Sequence, residues 1–263
     1  MTDIVRALEA AAGAGPLRLV REVGHGRSGD VVLELAGPQG RLFAKIARQD
    51  RPDRAHELRR EAGALAWLDG RIPAPRLVWA GEIEGRAAML SVALEGTPLH
   101  DLAAEQRVAG AVAAIRTLAA LHALPVASCP FDERLDAKLA AAKARLDAGL
   151  VDEADFDDER AGRPAAQVFA ELLAHRPPTE DLVVTHGDAC WPNFVLQPDG
   201  RAAMLDLGRF GVADRAHDLA LFLRSGAYNA PDLDLKALVL EHYPLAALDE
   251  ARLAFFRWLD EFA

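Results

Sequence analysis

The chain has 263 residues, of which 51% are apolar and 27% charged, an ordinary soluble globular composition long enough for one large domain or two lobes. Its net charge of −10 argues against a nucleic-acid partner, whose phosphates demand a basic footprint; it suits a cationic ligand, or simple solubility. Only Cys129 and Cys190 are present, so no disulfide framework is expected and a reducing, cytoplasmic compartment fits, and no apolar run of roughly 20 residues is there to span a membrane.

From the N-terminus, Met1 to Ala12 carries Asp3, Arg6 and Glu9 inside an apolar pattern, which reads as an amphipathic helix and not as a signal peptide. Leu17 to Val23, Val31 to Leu35, Leu42 to Ile46, Leu77 to Glu82 and Ala87 to Ala93 read as strands punctuated by Gly and Pro. Among them, His56 to Leu68 has Leu58, Ala62 and Leu65 at helical spacing. Beyond Leu99 the pattern is helical over 102–124, 134–149, 164–175, 215–224, 233–242 and 248–262. Short strands interrupt it at Leu182 to Thr185, Phe194 to Gln197 and Ala202 to Leu205. The expected organisation is α+β: a β-rich lobe over 1–94 and a mainly helical lobe over 95–263, with the switch near Leu94-Glu95-Gly96.

The stretch V-V-T-H-G-D-A-C-W-P-N-F-V-L, residues 183–196, is followed by M-L-D-L-G-R, residues 204–209. Asp188 and Asn193 have the five-residue offset of the catalytic Asp and metal-binding Asn in H-R-D-x-x-x-x-N, and Asp206-Leu207-Gly208 supplies D-x-G. Such a set suits phosphoryl transfer. Magnesium on a triphosphate needs hard oxygen ligands, which Asn193 and Asp206 offer. The acceptor hydroxyl must be oriented and must lose its proton, a task for a carboxylate such as Asp188.

In the N-terminal lobe Lys45 follows the apolar Leu42-Phe43-Ala44, matching the strand lysine that grips the phosphates of ATP. Glu61 lies 16 residues on as its candidate partner, with Glu57 a rival one turn earlier. Gly24 to Gly29 lets backbone amides, with Ser28, approach a phosphate, or is a plain hairpin turn. The strand ending at Ala93 offers Ser91 and Ala93 to an adenine edge; Met89 lines the back of that pocket or belongs to ordinary core.

With these segments in view, the chain resembles the aminoglycoside 3′-phosphotransferases, the kanamycin and neomycin kinases, which have a protein-kinase-like two-lobed fold. The stretches V-V-T-H-G-D-A-C-W-P-N, D-L-G-R-F-G-V-A-D-R, F-F-R-W-L-D-E-F-A, C-P-F-D and A-G-L-V-D-E-A-D-F-D-D-E carry the resemblance and cover most of the C-terminal lobe. It implies ATP and Mg2+ as cofactors, Asp188 as catalytic base, Asn193 and Asp206 as metal ligands, Lys45 and Glu61 as the phosphate-gripping pair, and His186 as a support of the catalytic loop. It also implies a site for a polycationic aminoglycoside built from Asp157, Asp158, Glu159, Asp260, Glu261 and the Ala263 terminal carboxylate, with Arg209 orienting Asp188 or nearby acidic groups; a monomer or weak dimer is expected. Without it, both acidic runs read as solvated faces.

The chain departs from the family in three places: the last residue is Ala263 where an aromatic is common, Ser225 stands after Arg224 where a carboxylate is expected, and the glycine loop is unusual. Two other readings stay open: a kinase of the same fold acting on another hydroxylated amine, such as a peptide antibiotic or metabolite, and a silent pseudokinase used as a binding module. Joint retention of Lys45, Asp188, Asn193 and Asp206 speaks against the latter, and the acidic runs favour a polycation over the former.

Overall fold

The computed structural model describes residues 2–23, 29–157 and 159–262. Ser28 with the loop from Gly24, Asp158 and Ala263 lie outside the described residues. In chain order the elements are helix α1 (Thr2–Ala12), strands β1 (Arg18–Val23), β2 (Val31–Gly37) and β3 (Gly40–Ile46), helix α2 (Pro52–Leu68), and strands β4 (Leu77–Ile83), β5 (Arg86–Val92) and β6 (Thr97–Pro98). Helices α3 (Ala104–His122), α4 (Leu135–Asp147) and α5 (Ala165–Ala174) follow, then strands β7 (Leu182–Thr185), β8 (Phe194–Leu196), β9 (Ala202–Met204) and β10 (Gly211–Asp214), and helices α6 (Arg215–Asn229), α7 (Leu235–His242) and α8 (Glu250–Asp260). The chain divides into two compact units, Met1–Pro98 with Asn193–Phe210, and Leu99–Pro192 with Gly211–Ala263.

In the first unit an antiparallel sheet of five strands runs in the order β1-β2-β3-β5-β4. The two-residue period of β3 sorts its side chains. Leu42, Ala44 and Ile46 are buried and join Leu33, Leu35, Leu90 and, from α1, Val5 and Leu8 in one apolar cluster. Each large aliphatic side chain buried there contributes roughly 1.5–3 kcal/mol. Lys45, between Ala44 and Ile46, is thereby turned to the opposite face. The β4–β5 hairpin turns through Glu84 and Gly85, both at positive φ (50° and 71°), the conformation a two-residue hairpin loop of matching twist requires. The unit is completed by the three-stranded sheet β6-β8-β9. At Gly96 (φ 132°) a side chain would strike the Leu196 carbonyl, so this residue lets β6 approach β8.

The second unit is mainly helical. Asp214, Asp234 and Asp249 cap α6, α7 and α8 with side-chain acceptors at 2.9, 3.0 and 3.0 Å from the first-turn amides of Ala216, Ala237 and Arg252. β7 and β10 form a short antiparallel ladder with Thr185 opposite Gly211. Near the chain end Phe262 is buried against Phe156 and Phe169, with centroids at 5.9 and 5.3 Å, so an aromatic does pack there, one residue before Ala263.

Most element ends lie within two residues of the sequence expectation; the expectation lacks β6 and β10, and two helices run longer than expected. α2 begins at Pro52, four residues before His56, because its first turn, Pro52-Asp53-Arg54-Ala55, is charged and shows no apolar period. α6 runs to Asn229, five residues past the expected end at Arg224. Gly226 is needed because a Cβ there would run into Leu235 and the Trp191 indole.

Candidate active site

In the first unit Lys45 projects from β3 toward α2. Its ammonium donates to both Glu61 oxygens (2.7 and 2.9 Å) and to Asp206 Oδ1 (3.0 Å). Glu61 is buried, whereas the Asp206 side chain is 53% exposed, so one end of the group reaches solvent. Burial alone would lower the Lys45 pKa, but the Glu61 and Asp206 carboxylates outweigh it and raise it above the ordinary lysine value. Burial raises Glu61, the lysine opposing. Glu57, the rival partner, pairs instead with Arg54, which also holds the buried Asp30 at 2.9 Å.

The β8–β9 hairpin brings Asn193 and Asp206 to neighbouring places. Phe194 lies opposite Met204, and one step further Leu205 donates its N–H to the Asn193 carbonyl (2.8 Å). Asp206 itself sits at φ 60°, a left-handed conformation that costs a non-glycine residue roughly 1–3 kcal/mol and concentrates at functional positions. The surroundings hold it there. Leu207 and Phe210 are fully buried, Arg60 donates to the Phe210 carbonyl (2.8 Å), and Trp67 packs on the Phe210 ring at 5.6 Å. An amide oxygen and a half-exposed carboxylate form a hard donor set that fits a magnesium ion whose remaining ligands are phosphates and water. Arg209, between these anchors, is half-buried.

The sheet register aligns the nucleotide candidates. Met89 lies directly across from Lys45, and Ser91 across from Phe43, so both share the lysine's face; each is buried. The Ala93 N–H is already donated to the Arg41 carbonyl (2.9 Å), which leaves its own carbonyl as the group to offer a ligand.

In the second unit the loop after β7 carries Asp188. Its support is Asp218 on α6, fully buried, whose Oδ2 accepts the His186 N–H (2.7 Å) and whose Oδ1 accepts the Gly187 N–H (2.9 Å). His186, also fully buried, accepts the Asp188 N–H at Nδ1 (3.2 Å), which is the supporting role expected of it. Desolvation would raise the Asp218 pKa, but the hydrogen bond from His122 (3.0 Å), with His186 and His217 close by, holds it well below the usual carboxylate range. Asp218 carries no motif spacing. Its partners are two backbone amides 31 and 32 residues earlier and a histidine 96 residues earlier, so the one available signal was a lone Asp in the apolar run of α6.

The acidic runs are matched by arginines. Arg160 donates from Nε and Nη2 to the two oxygens of Glu261 (2.7 Å each) and reaches Asp157 and Glu159 at 3.2 Å. Glu261, with its side chain 2% exposed, also accepts the Asp157 N–H (3.1 Å), so it ties the 157–160 loop to the chain end. Asp260 pairs with Arg224 at 2.6 Å. The Cys190 thiol is pushed up by burial and by the charge of Asp188, with a smaller effect of Asp260. At the departure noted after Arg224, Ser225 Oγ accepts the Trp191 N–H (2.9 Å), so the serine anchors the loop following Asp188.

The sequence profile of the phosphotransferase enzyme family matches residues 19–256. An aminoglycoside 3′-phosphotransferase of Streptomyces fradiae is 41% identical over 251 residues, 91% of this chain and 93% of the relative. A crystal structure of an aminoglycoside-3′-phosphotransferase of type VIII superposes with a TM-score of 0.86 at 36% identity, covering 100% of this chain and 99% of the other. An aminoglycoside phosphotransferase of Streptomyces rimosus solved with ADP and streptomycin gives 0.81 at 25% identity, covering 99% and 97%. With a β-rich N-terminal lobe, a helical C-terminal lobe and a protein-kinase-like fold, the chain belongs to the phosphotransferase enzyme family.

Proposed function

We propose that the chain is an ATP-dependent aminoglycoside kinase that places the γ-phosphoryl group on the 3′-hydroxyl of the drug and so gives resistance to it. The supporting observation is the Lys45 ammonium shared by buried Glu61 and half-exposed Asp206. Such a group holds a cation rigidly for the α- and β-phosphates and leaves a carboxylate for a metal. Residues 1–94 bind the nucleotide, with Met89, Ser91 and the Ala93 carbonyl around the adenine and Ser28 at the phosphates. Residues 95–263 supply the metal ligands, the base and the drug site. Asn193 and Asp206 would hold Mg2+, which when bound neutralises charge on the phosphates.

Asp188 orients the 3′-hydroxyl and takes its proton. A bond forms between that oxygen and the γ-phosphorus, the bond from the γ-phosphorus to the bridging β–γ oxygen breaks, and ADP leaves. The drug's ammonium groups meet Asp157, Asp158, Glu159, Asp260, Glu261 and the Ala263 carboxylate, with Arg209 ordering the acids. Arg160 and Arg224 already neutralise part of that wall, which limits how many ammonium groups it favours. The enzyme works in the cytoplasm as a monomer or weak dimer, with no nucleic-acid or membrane partner. Among the described residues no helix is long and apolar enough to cross a membrane.

A coupled ADP-release assay against kanamycin, neomycin, a 3′-deoxy aminoglycoside and choline tests this. Turnover of the first two alone is expected. Turnover of the 3′-deoxy drug would move the reacting hydroxyl elsewhere, and turnover of choline alone would replace the substrate class.

A further inference from the structure

We infer that Tyr243, at the end of α7, is a positioning residue for phosphoryl transfer: its hydroxyl selects the His122 tautomer that holds the Asp188 loop through Asp218. This rests on the reading of Asp188 as the base.

The Asp218 carboxylate can only accept hydrogen bonds, and it already accepts the amides of His186 and Gly187. His122 Nε2, 3.0 Å from Asp218 Oδ2, must therefore carry a proton. In a neutral ring that leaves Nδ1 bare. This nitrogen lies 2.6 Å from the Tyr243 hydroxyl, which donates to it. The His122 side chain is 2% exposed, so water does not replace the phenol. Burial, with Asp218 and Asp181 nearby and Arg215 opposing, pushes the Tyr243 pKa up to about 12, so the hydroxyl keeps its proton at neutral pH. Arg215 Nη1 approaches the same oxygen at 3.5 Å and is itself paired with Asp181, which fixes the phenol from its far side.

Deleting the hydroxyl leaves a buried acceptor unpaired. The ring can relieve this by moving its proton to Nδ1, but a bare Nε2 would then face a carboxylate. Either state loosens Asp218, and with it the two amides that set the loop before Asp188.

Tyr243→Phe deletes one oxygen and keeps the ring. It should lower kcat about tenfold with KM for ATP and kanamycin changed by less than about twofold, since positioning acts on the transition state. In an Asp188→Asn background the same change should cost nothing further. Nitrogen NMR of the His122 ring, assigned by its loss in His122→Gln, reads the tautomer directly. The wild type should show a protonated Nε2 and a bare Nδ1, and Tyr243→Phe should shift that pattern. A protonated Nδ1 in the wild type, an unchanged kcat, or an equal loss without Asp188 would overturn the inference. Near-normal turnover by Asp188→Asn would instead unseat the base, leaving the tautomer result standing.

Discussion

The Lys45 group and the Arg160 group are built from the same chemistry and balanced in opposite directions. Around Lys45, two carboxylates share one half-buried ammonium, and the second carboxylate, Asp206, faces solvent with charge to spare. Around Arg160, a guanidinium whose side chain is 11% exposed spans three carboxylates and takes Glu261 out of solvent altogether. The first arrangement is open to a divalent cation. The second has its cation built in and leaves chiefly Asp157 and Glu159 open to solvent. Counting acidic residues in a sequence therefore overstates the net negative charge that the folded surface presents.

The largest expected effect lies outside both groups, at Asp188, the proposed base. Asp188→Asn should lower kcat by about 10³-fold while nucleotide still binds, as seen by ADP release and fluorescent-nucleotide titration. Retained turnover would remove Asp188 from the chemistry. Next is Asp206→Ala, which should abolish the magnesium dependence of nucleotide binding measured by calorimetry; unchanged metal dependence would make Asp206 only a partner of Lys45.

Arg160→Ala sharpens the other side. Breaking a buried pair by removing one partner costs roughly 3–5 kcal/mol, so the melting temperature should fall markedly and the drug KM should rise as Asp157 and the chain end loosen. A drug KM that instead falls would mean Arg160 competes with substrate for Glu261.

The pH dependence separates the groups further. Asp218 has a lowered folded pKa, so its contribution to stability is complete above its unfolded value of about 3.9 and is lost as pH falls through the folded one. The stability gap between wild type and Asp218→Asn should thus be flat near neutral pH and close only in acid. Lys45 has a raised pKa, so its contribution persists below its unfolded value of about 10.4 and is lost only above it, as pH rises through the folded one. Smallest is Ser225→Ala, which should cost about 1 kcal/mol by chemical denaturation through the lost Trp191 bond.

What the sequence made legible follows from the range of each interaction. The strands up to Ala93 announce themselves by alternation and by Gly and Pro, and Lys45, Asn193 and Asp206 by fixed spacing within two short motifs. The choice between Glu57 and Glu61 depends on packing: both lie on one face of α2, and only the fold gives Glu57 to Arg54. Asp218 and Tyr243 were silent because their partners are a backbone amide pair and a histidine 121 residues away. Arg160 was silent because one charged residue in an acidic run looks solvated until its partner at position 261 is folded against it.

The most direct measurement is phosphorus–proton correlation NMR of the product made from kanamycin and ATP. Coupling of a single new phosphate to the proton on the 3′-carbon is the predicted result. Coupling to any other position, or no phosphorylated drug from a folded, nucleotide-binding protein, would contradict it.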